Sequence, residues 1–257
     1  ILLSNESKYS ESYQYFKKLD GLENNHPNYS RRYIYSLVNS GNFIKAINFS
    51  KKLDKEQKNN FESDLIIGIN YLKNSKSGLA KEYFIKARKN DSISVLNDYI
   101  INTLYIWSDL EDKNLEEARL KLNQIDNRFE NLKKIQNVFL NCYFNNKDTH
   151  FLFDKLISDE KTDFSRYNYF YAKYLDNQGE KTKARKIIET ALKKYPRNLL
   201  LNQYKINLDL RKNLSDFNCN NKEEIVAELF YIAANALSTQ SYYQASNFYL
   251  NLSKYLN

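Results

Sequence analysis

From Tyr167 to Arg197 the chain reads YNYFYAKYLDNQGEKTKARKIIETALKKYPR. Two runs of apolar residues at helical spacing, Tyr167–Leu175 and Lys183–Leu192, flank a single Gly179, and Pro196 follows the second run. A glycine between two such runs ends one helix and allows a tight turn into the next. A proline is tolerated at a helix start and damaging inside one. The stretch therefore predicts helix, short turn, helix, then a new helix. Gly41 stands in the same relation to Tyr33–Val38 and Phe43–Leu53, and Pro27 precedes another helical run.

Working outward, the whole 257-residue chain carries only 5 Gly and 2 Pro. Sandwiches, barrels and phosphate-cradling loops need more such punctuation than that, so the composition favours helices. Small residues set a period: Ser12, Ala46 and Ala80 stand 34 residues apart. Large or aliphatic residues follow them at +4 and +7, as in Ser12/Phe16/Leu19, Ala80/Phe84/Ala87, Ala118/Leu122/Ile125, Ala184/Ile188/Ala191 and Ala245/Tyr249/Leu252. Those spacings put each set on one helical face.

These features resemble the tetratricopeptide repeat (TPR), a helix-turn-helix of about 34 residues with small contact residues in both helices. The copies in register are Ile67-Gly68…Ala80, Tyr171-Ala172…Ala184 and Ile232-Ala233…Ala245. On this likeness Gly68, Ala172 and Ala233 face Ala80, Ala184 and Ala245, while Tyr71 and Phe84 fill the space between repeats. The resemblance implies an all-α, right-handed α-solenoid over residues 1–257. It would be a single array of about seven repeats: the first truncated, 128–158 degenerate, and the polar segment 213–221 replacing a helix. The chain has no Met and starts at Ile1, which predicts a piece of a longer protein. The stretches Val226–Ala233 and Leu250–Asn257 also resemble envelope-associated TPR proteins of alphaproteobacteria. That likeness implies a periplasmic or cell-envelope location and leaves a cytoplasmic one open.

No chemistry-bearing motif stands out. The two histidines, His26 and His150, have no metal-ligand spacing, and no nucleotide-binding or nucleophile-elbow glycine pattern is present. The acidic groups Asp109/Glu111/Asp112 and Asp159/Glu160/Asp163 read as helix caps in turns. Cys142 and Cys219 lie 77 residues apart, and the reading is two free buried thiols, with a disulfide only if the fold brings them within about 7 Å. The expectation is a non-catalytic protein with no metal and no cofactor.

A solenoid binds through the exposed face of its first helices. Helical periodicity assigns Asn28, Arg31, Tyr35 and Asn39 in the second repeat, and Arg166, Tyr169, Lys173 and Asn177 in the sixth. Amide, aromatic and cationic groups together suit an extended peptide. The matching positions of the third repeat (Glu62, Leu65, Ile69, Leu72) and of the last (Ala227, Phe230, Ala234, Leu237) are largely apolar; they suit a partner helix or pack against a neighbouring one. The expected function is a protein-interaction scaffold with a peptide or protein partner. The alternative is an RNA-binding helical-repeat protein using the net charge of +8 and the 22 Tyr. Base-reading repeats need polar residues recurring at one position, which the third and last repeats lack. No apolar run is long enough to span a membrane.

Overall fold

The computed structural model describes residues 2–19, 21–22, 26, 28–89, 94–110, 114–210 and 217–257. Among them there are helices and turns and no strand. Pro27, Glu111 and Asp112 lie outside the described residues, as do residues 213–216 of the polar segment 213–221.

The chain divides into two compact units, residues 1–113 with 225–257 and residues 114–224. The first holds α1 (Leu2–Asn5), α2 (Tyr9–Lys17), α3 (Tyr29–Asn39), α4 (Phe43–Lys55), α5 (Phe61–Lys73), α6 (Ser77–Arg88) and α7 (Val95–Ser108). The second holds α8 (Leu115–Asn123), α9 (Glu130–Tyr143), α10 (Thr149–Ile157), α11 (Tyr167–Asn177), α12 (Lys181–Lys194) and α13 (Leu199–Asp209). Helix α14 (Lys222–Thr239) starts in the second unit and runs into the first, which α15 (Tyr243–Leu256) completes. Within each unit consecutive helices pack on one another. The segment read as degenerate, 128–158, contains a paired hairpin, α9 with α10.

One turn recurs between helices. After α3, Gly41 has φ +75° and the Asn42 amide donates to the Leu37 carbonyl at 2.8 Å. After α11, Gly179 has φ +81° and the Glu180 amide donates to Leu175 at 2.8 Å. This left-handed cap satisfies a helix-end carbonyl and reverses the chain. Ser75, Asn145 and Ser241 take the same conformation at φ 54°, 50° and 63° before α6, α10 and α15. Their following amides reach back to Tyr71, Asn141 and Leu237 at 2.9 Å in each case. Side chains other than Asn are strained in this region, and Ser7 and Gln57 adopt it as well, so several of these turns form without glycine.

The small residues sit where close packing needs them. Ala46, Ala80, Ala172 and Ala184 have no exposed surface, and Ala118 is 2% exposed. Two contacts differ from the expected pattern. A Cβ on Gly68 would stand 2.5 Å from Cε1 and 2.7 Å from Cδ1 of Phe84. Gly68 of α5 thus accommodates the ring of Phe84 from its own hairpin, a residue expected to fill the space between repeats. In the last hairpin Ser246, not Ala245, is buried, and its hydroxyl donates to the Ala234 carbonyl at 2.8 Å. Gly68→Ala should lower stability by about 1–2 kcal/mol: overpacking outweighs the roughly 1 kcal/mol gained in helix propensity. Urea unfolding followed by the fluorescence of Trp107, the single tryptophan and 1% exposed on α7, measures it. A gain in stability would mean that the ring moves aside freely.

Candidate functional site

Residues 28–39 form one strip along α3, and that strip passes from open to covered. Asn28 is exposed at the helix start. Arg31 keeps 54% of its side chain in solvent while its Nε donates to Glu62 Oε1 at 2.8 Å. Tyr35 is 8% exposed, with its ring 4.5 Å from that of Phe248 on α15 and 5.7 Å from the Arg31 guanidinium. Asn39 donates through Nδ2 to the Gln244 carbonyl at 3.2 Å.

Helix α15 covers the far half of the strip. Its Asn247 donates to the Tyr9 hydroxyl at 2.8 Å, Tyr249 donates to Asn97 Oδ1 at 2.6 Å, and Tyr255 donates to Asn70 Oδ1 at 3.3 Å. The Tyr255 ring also stacks on Phe43 with centroids 4.6 Å apart, and Lys73 donates to the Tyr255 carbonyl. One helix thereby touches α2, α3, α4, α5 and α7. The apolar positions assigned to an exposed face are correspondingly closed: Leu65, Ile69 and Leu72 are at most 1% exposed, Glu62 is 4%, Ala227 1%, Phe230 0% and Ala234 3%. Only Leu237 of that set is half-buried. Their exposure in the sequence reading is corrected on this point, because periodicity identifies an apolar face without saying what lies over it.

What stays open is a cleft of about 490 Å³. One wall is Tyr9, Asn28, Arg31, Arg32 and Tyr35; the other is Ser241 to Ala245, the turn and first residues of α15. Tyr242 and Tyr243 are 62% and 58% exposed, an unusual state for adjacent aromatic side chains. Beneath the cleft the Glu62 carboxyl is pushed up by burial and pulled back by Arg31. Burial, followed by the charge of Glu62, pushes the Tyr35 phenol up to about 12. The Tyr35 phenol therefore stays protonated at neutral pH, and the cleft presents guanidinium, phenol and amide groups.

The second quartet lies in the other unit and is engaged there. Tyr169 meets Tyr204 of α13 edge-on at 5.3 Å. Lys173 is 5% exposed, 5.3 Å over the Tyr204 ring and 3.7 Å from Asp176. Arg166 lies 5.5 Å over Phe170, and Asn177 donates to the Phe217 carbonyl at 3.2 Å. Phe217 is itself wedged against Phe170 and Phe139 at 4.6 and 5.3 Å. That wedge draws the following residues onto α9, where Cys219 forms a disulfide with Cys142 across a Cα separation of 5.6 Å. The reading of free thiols is thus corrected, and the reason is Phe217, an aromatic anchor inside a segment that reads as polar.

The remaining polar groups have local work. Asp159 pairs with Lys134 at 2.9 Å and accepts from the Lys161 amide, and Asp163 accepts from the Ser165 amide, in line with turn capping. Asp109 pairs with Lys81 at 2.5 Å. His150 lies 3.4 Å from Glu180, packed against Tyr174. No group of three or more His, Cys, Asp or Glu that could hold a metal ion occurs among the described residues. Of the cleft, periodicity in α3 found Asn28, Arg31 and Tyr35. It missed Tyr9, Arg32 and residues 241–245; the paired Tyr242-Tyr243 beside a turn was the one available signal. No protein-family model matches the chain, and no curated protein matches it.

Proposed function

We propose that this chain is a non-catalytic protein-interaction scaffold built on TPR-like repeats wound as a right-handed α-solenoid, and that it engages a peptide segment of a partner. The observation that carries this reading is the cleft beside α3, in which exposed Tyr242 and Tyr243 face Asn28 and two arginines. Amides can bond a peptide backbone, and partly exposed aromatic and arginine side chains are the usual anchors of such contacts. The cleft takes over the role expected of the inner strip, whose far half α15 occupies.

The disulfide supports a location in an oxidising compartment, such as the periplasm or cell envelope, because cytosolic thiols are kept reduced. No helix among the described residues is long and apolar enough to cross a membrane. An RNA-binding role would draw on the +8 charge, although several surface cations are held in ion pairs: Arg119 with Glu116, Arg128 with Asp126, Arg185 with Asp209 and Lys86 with Asp54.

Panning a random-peptide library against the immobilised oxidised chain tests the reading. Enrichment of peptides that compete with one another for the chain is the expected result. If no peptide is enriched and a homopolynucleotide binds with a log–log salt slope of several units, the scaffold reading gives way to the RNA-binding one.

A further inference from the structure

The cleft is a composite of distant parts of the chain. Its α3 wall comes from residues 9–35 and its facing wall from residues 241–245, which α15 holds in place through the Asn39–Gln244 and Tyr9–Asn247 hydrogen bonds. The charges on the two walls are one-sided. Arg31 and Arg32 line the space, and no carboxylate does so among the described lining residues. Glu62, which pairs with Arg31, is 4% exposed and is not among the residues that line the opening. Arg32 is half-buried and makes no ion pair among the described residues. A guanidinium in this setting favours a planar anion that accepts two parallel hydrogen bonds. Exposed phenol rings next to it offer flat apolar area with a polar tip.

Resting on the peptide-scaffold reading above, we propose that the cleft selects an extended acidic peptide segment, with an Asp or Glu carboxylate on Arg32 and a neighbouring apolar side chain on Tyr242 and Tyr243. Arg31 contributes its positive field while it stays tied to Glu62. Charge complementarity of this kind sets specificity and association rate as well as affinity. Because one wall belongs to the α14–α15 turn, the peptide site exists only while α15 is seated on the N-terminal helices.

The test compares library pools selected on the wild-type chain, on Arg32→Gln and on a Tyr242→Ala/Tyr243→Ala double variant. All three substituted side chains are at least partly exposed, and circular dichroism confirms that each variant keeps its fold. The wild-type pool should be enriched in Asp and Glu next to apolar residues. Its strongest peptide, synthesised and titrated by fluorescence anisotropy, should bind Arg32→Gln about tenfold more weakly, the loss expected for one charge-assisted hydrogen bond. Affinity should fall between low and moderate salt, and replacing the acidic residues of the peptide by their amides should reproduce the Arg32→Gln loss. A pool enriched in neutral or basic peptides, or equal affinity for wild type and Arg32→Gln, overturns this inference and leaves the scaffold reading standing. Absence of any enriched peptide overturns both.

Discussion

Reducing the Cys142–Cys219 disulfide should lower the unfolding free energy by about 4.5 kcal/mol. The bond closes a loop with a sequence separation of 77, and in the chain-entropy description a loop of that length removes about this much freedom from the unfolded chain. The native state has little reason to relax when the bond is cut. Cys142 and Cys219 are 2% and 5% exposed, and Phe217 remains clamped between Phe139 and Phe170. The loss should therefore be a shift in urea midpoint with the helical circular dichroism of the folded baseline retained. Cys142→Ala/Cys219→Ala should match the reduced protein. A change below about 1 kcal/mol would show that the unfolded chain gains no freedom from losing the bond. Two thiols titrating in the unreduced, denatured protein would show that the bond does not form.

Phe248→Ala should be comparably severe, about 3–5 kcal/mol, because it empties a site with no exposed surface. The ring lies 4.5 Å from Tyr35 and 5.4 Å from Tyr249, so the cavity falls between α15 and the strip of α3 that it covers. Phe248→Leu keeps most of the volume and should cost about 1–2 kcal/mol. Trp107 fluorescence during urea unfolding reads both variants. Hydrogen exchange adds a local readout: amides of α15 should lose protection in Phe248→Ala before those of α5 and α6. If both substitutions cost under about 1 kcal/mol, the seat of α15 on α3 is not a packed interface.

Much of the helical architecture is legible in the residues themselves. Gly41 and Gly179 mark two turns where a positive φ is required, and the alanines at 46, 80, 118 and 184 are buried as their spacing implies. Other parts are not legible, for definable reasons. The turns at Ser75 and Ser241 use the same backbone geometry with residues whose own preferences do not announce it. In the last hairpin Ala245 and Ser246 are neighbours of similar size, and it is Ser246 that faces inward, where its hydroxyl bonds the Ala234 carbonyl.

The candidate site divides along the same line. Periodicity in α3 picks out Asn28, Arg31 and Tyr35, which line the cleft, but it assigns Tyr35 to an exposed face and the ring is 8% exposed. It has no access to contacts such as Asn39–Gln244 and Tyr9–Asn247, whose partners are 205 and 238 residues apart. The apolar runs at Leu65–Leu72 and Ala227–Ala234 carry the same ambiguity. A buried stripe and a docking stripe have one composition, and the covering element distinguishes them. In the second unit Phe217 plays that covering part for Phe170, and no pattern in the residues around it singles it out.

The reach of α15 has a consequence for how the protein is made. An ordinary repeat array can start to consolidate as soon as its first modules leave the ribosome, since each leans only on its neighbour. Here Tyr9, Tyr35, Asn70 and Asn97 wait for partners between 244 and 255, so the earliest helices stay unfinished until that stretch has been synthesised. Such long-range closure is slow and leaves apolar surface uncovered meanwhile. Nascent chains arrested before residue 243 should accordingly be held by chaperones, and chains in which residues 243–257 have also emerged should be released.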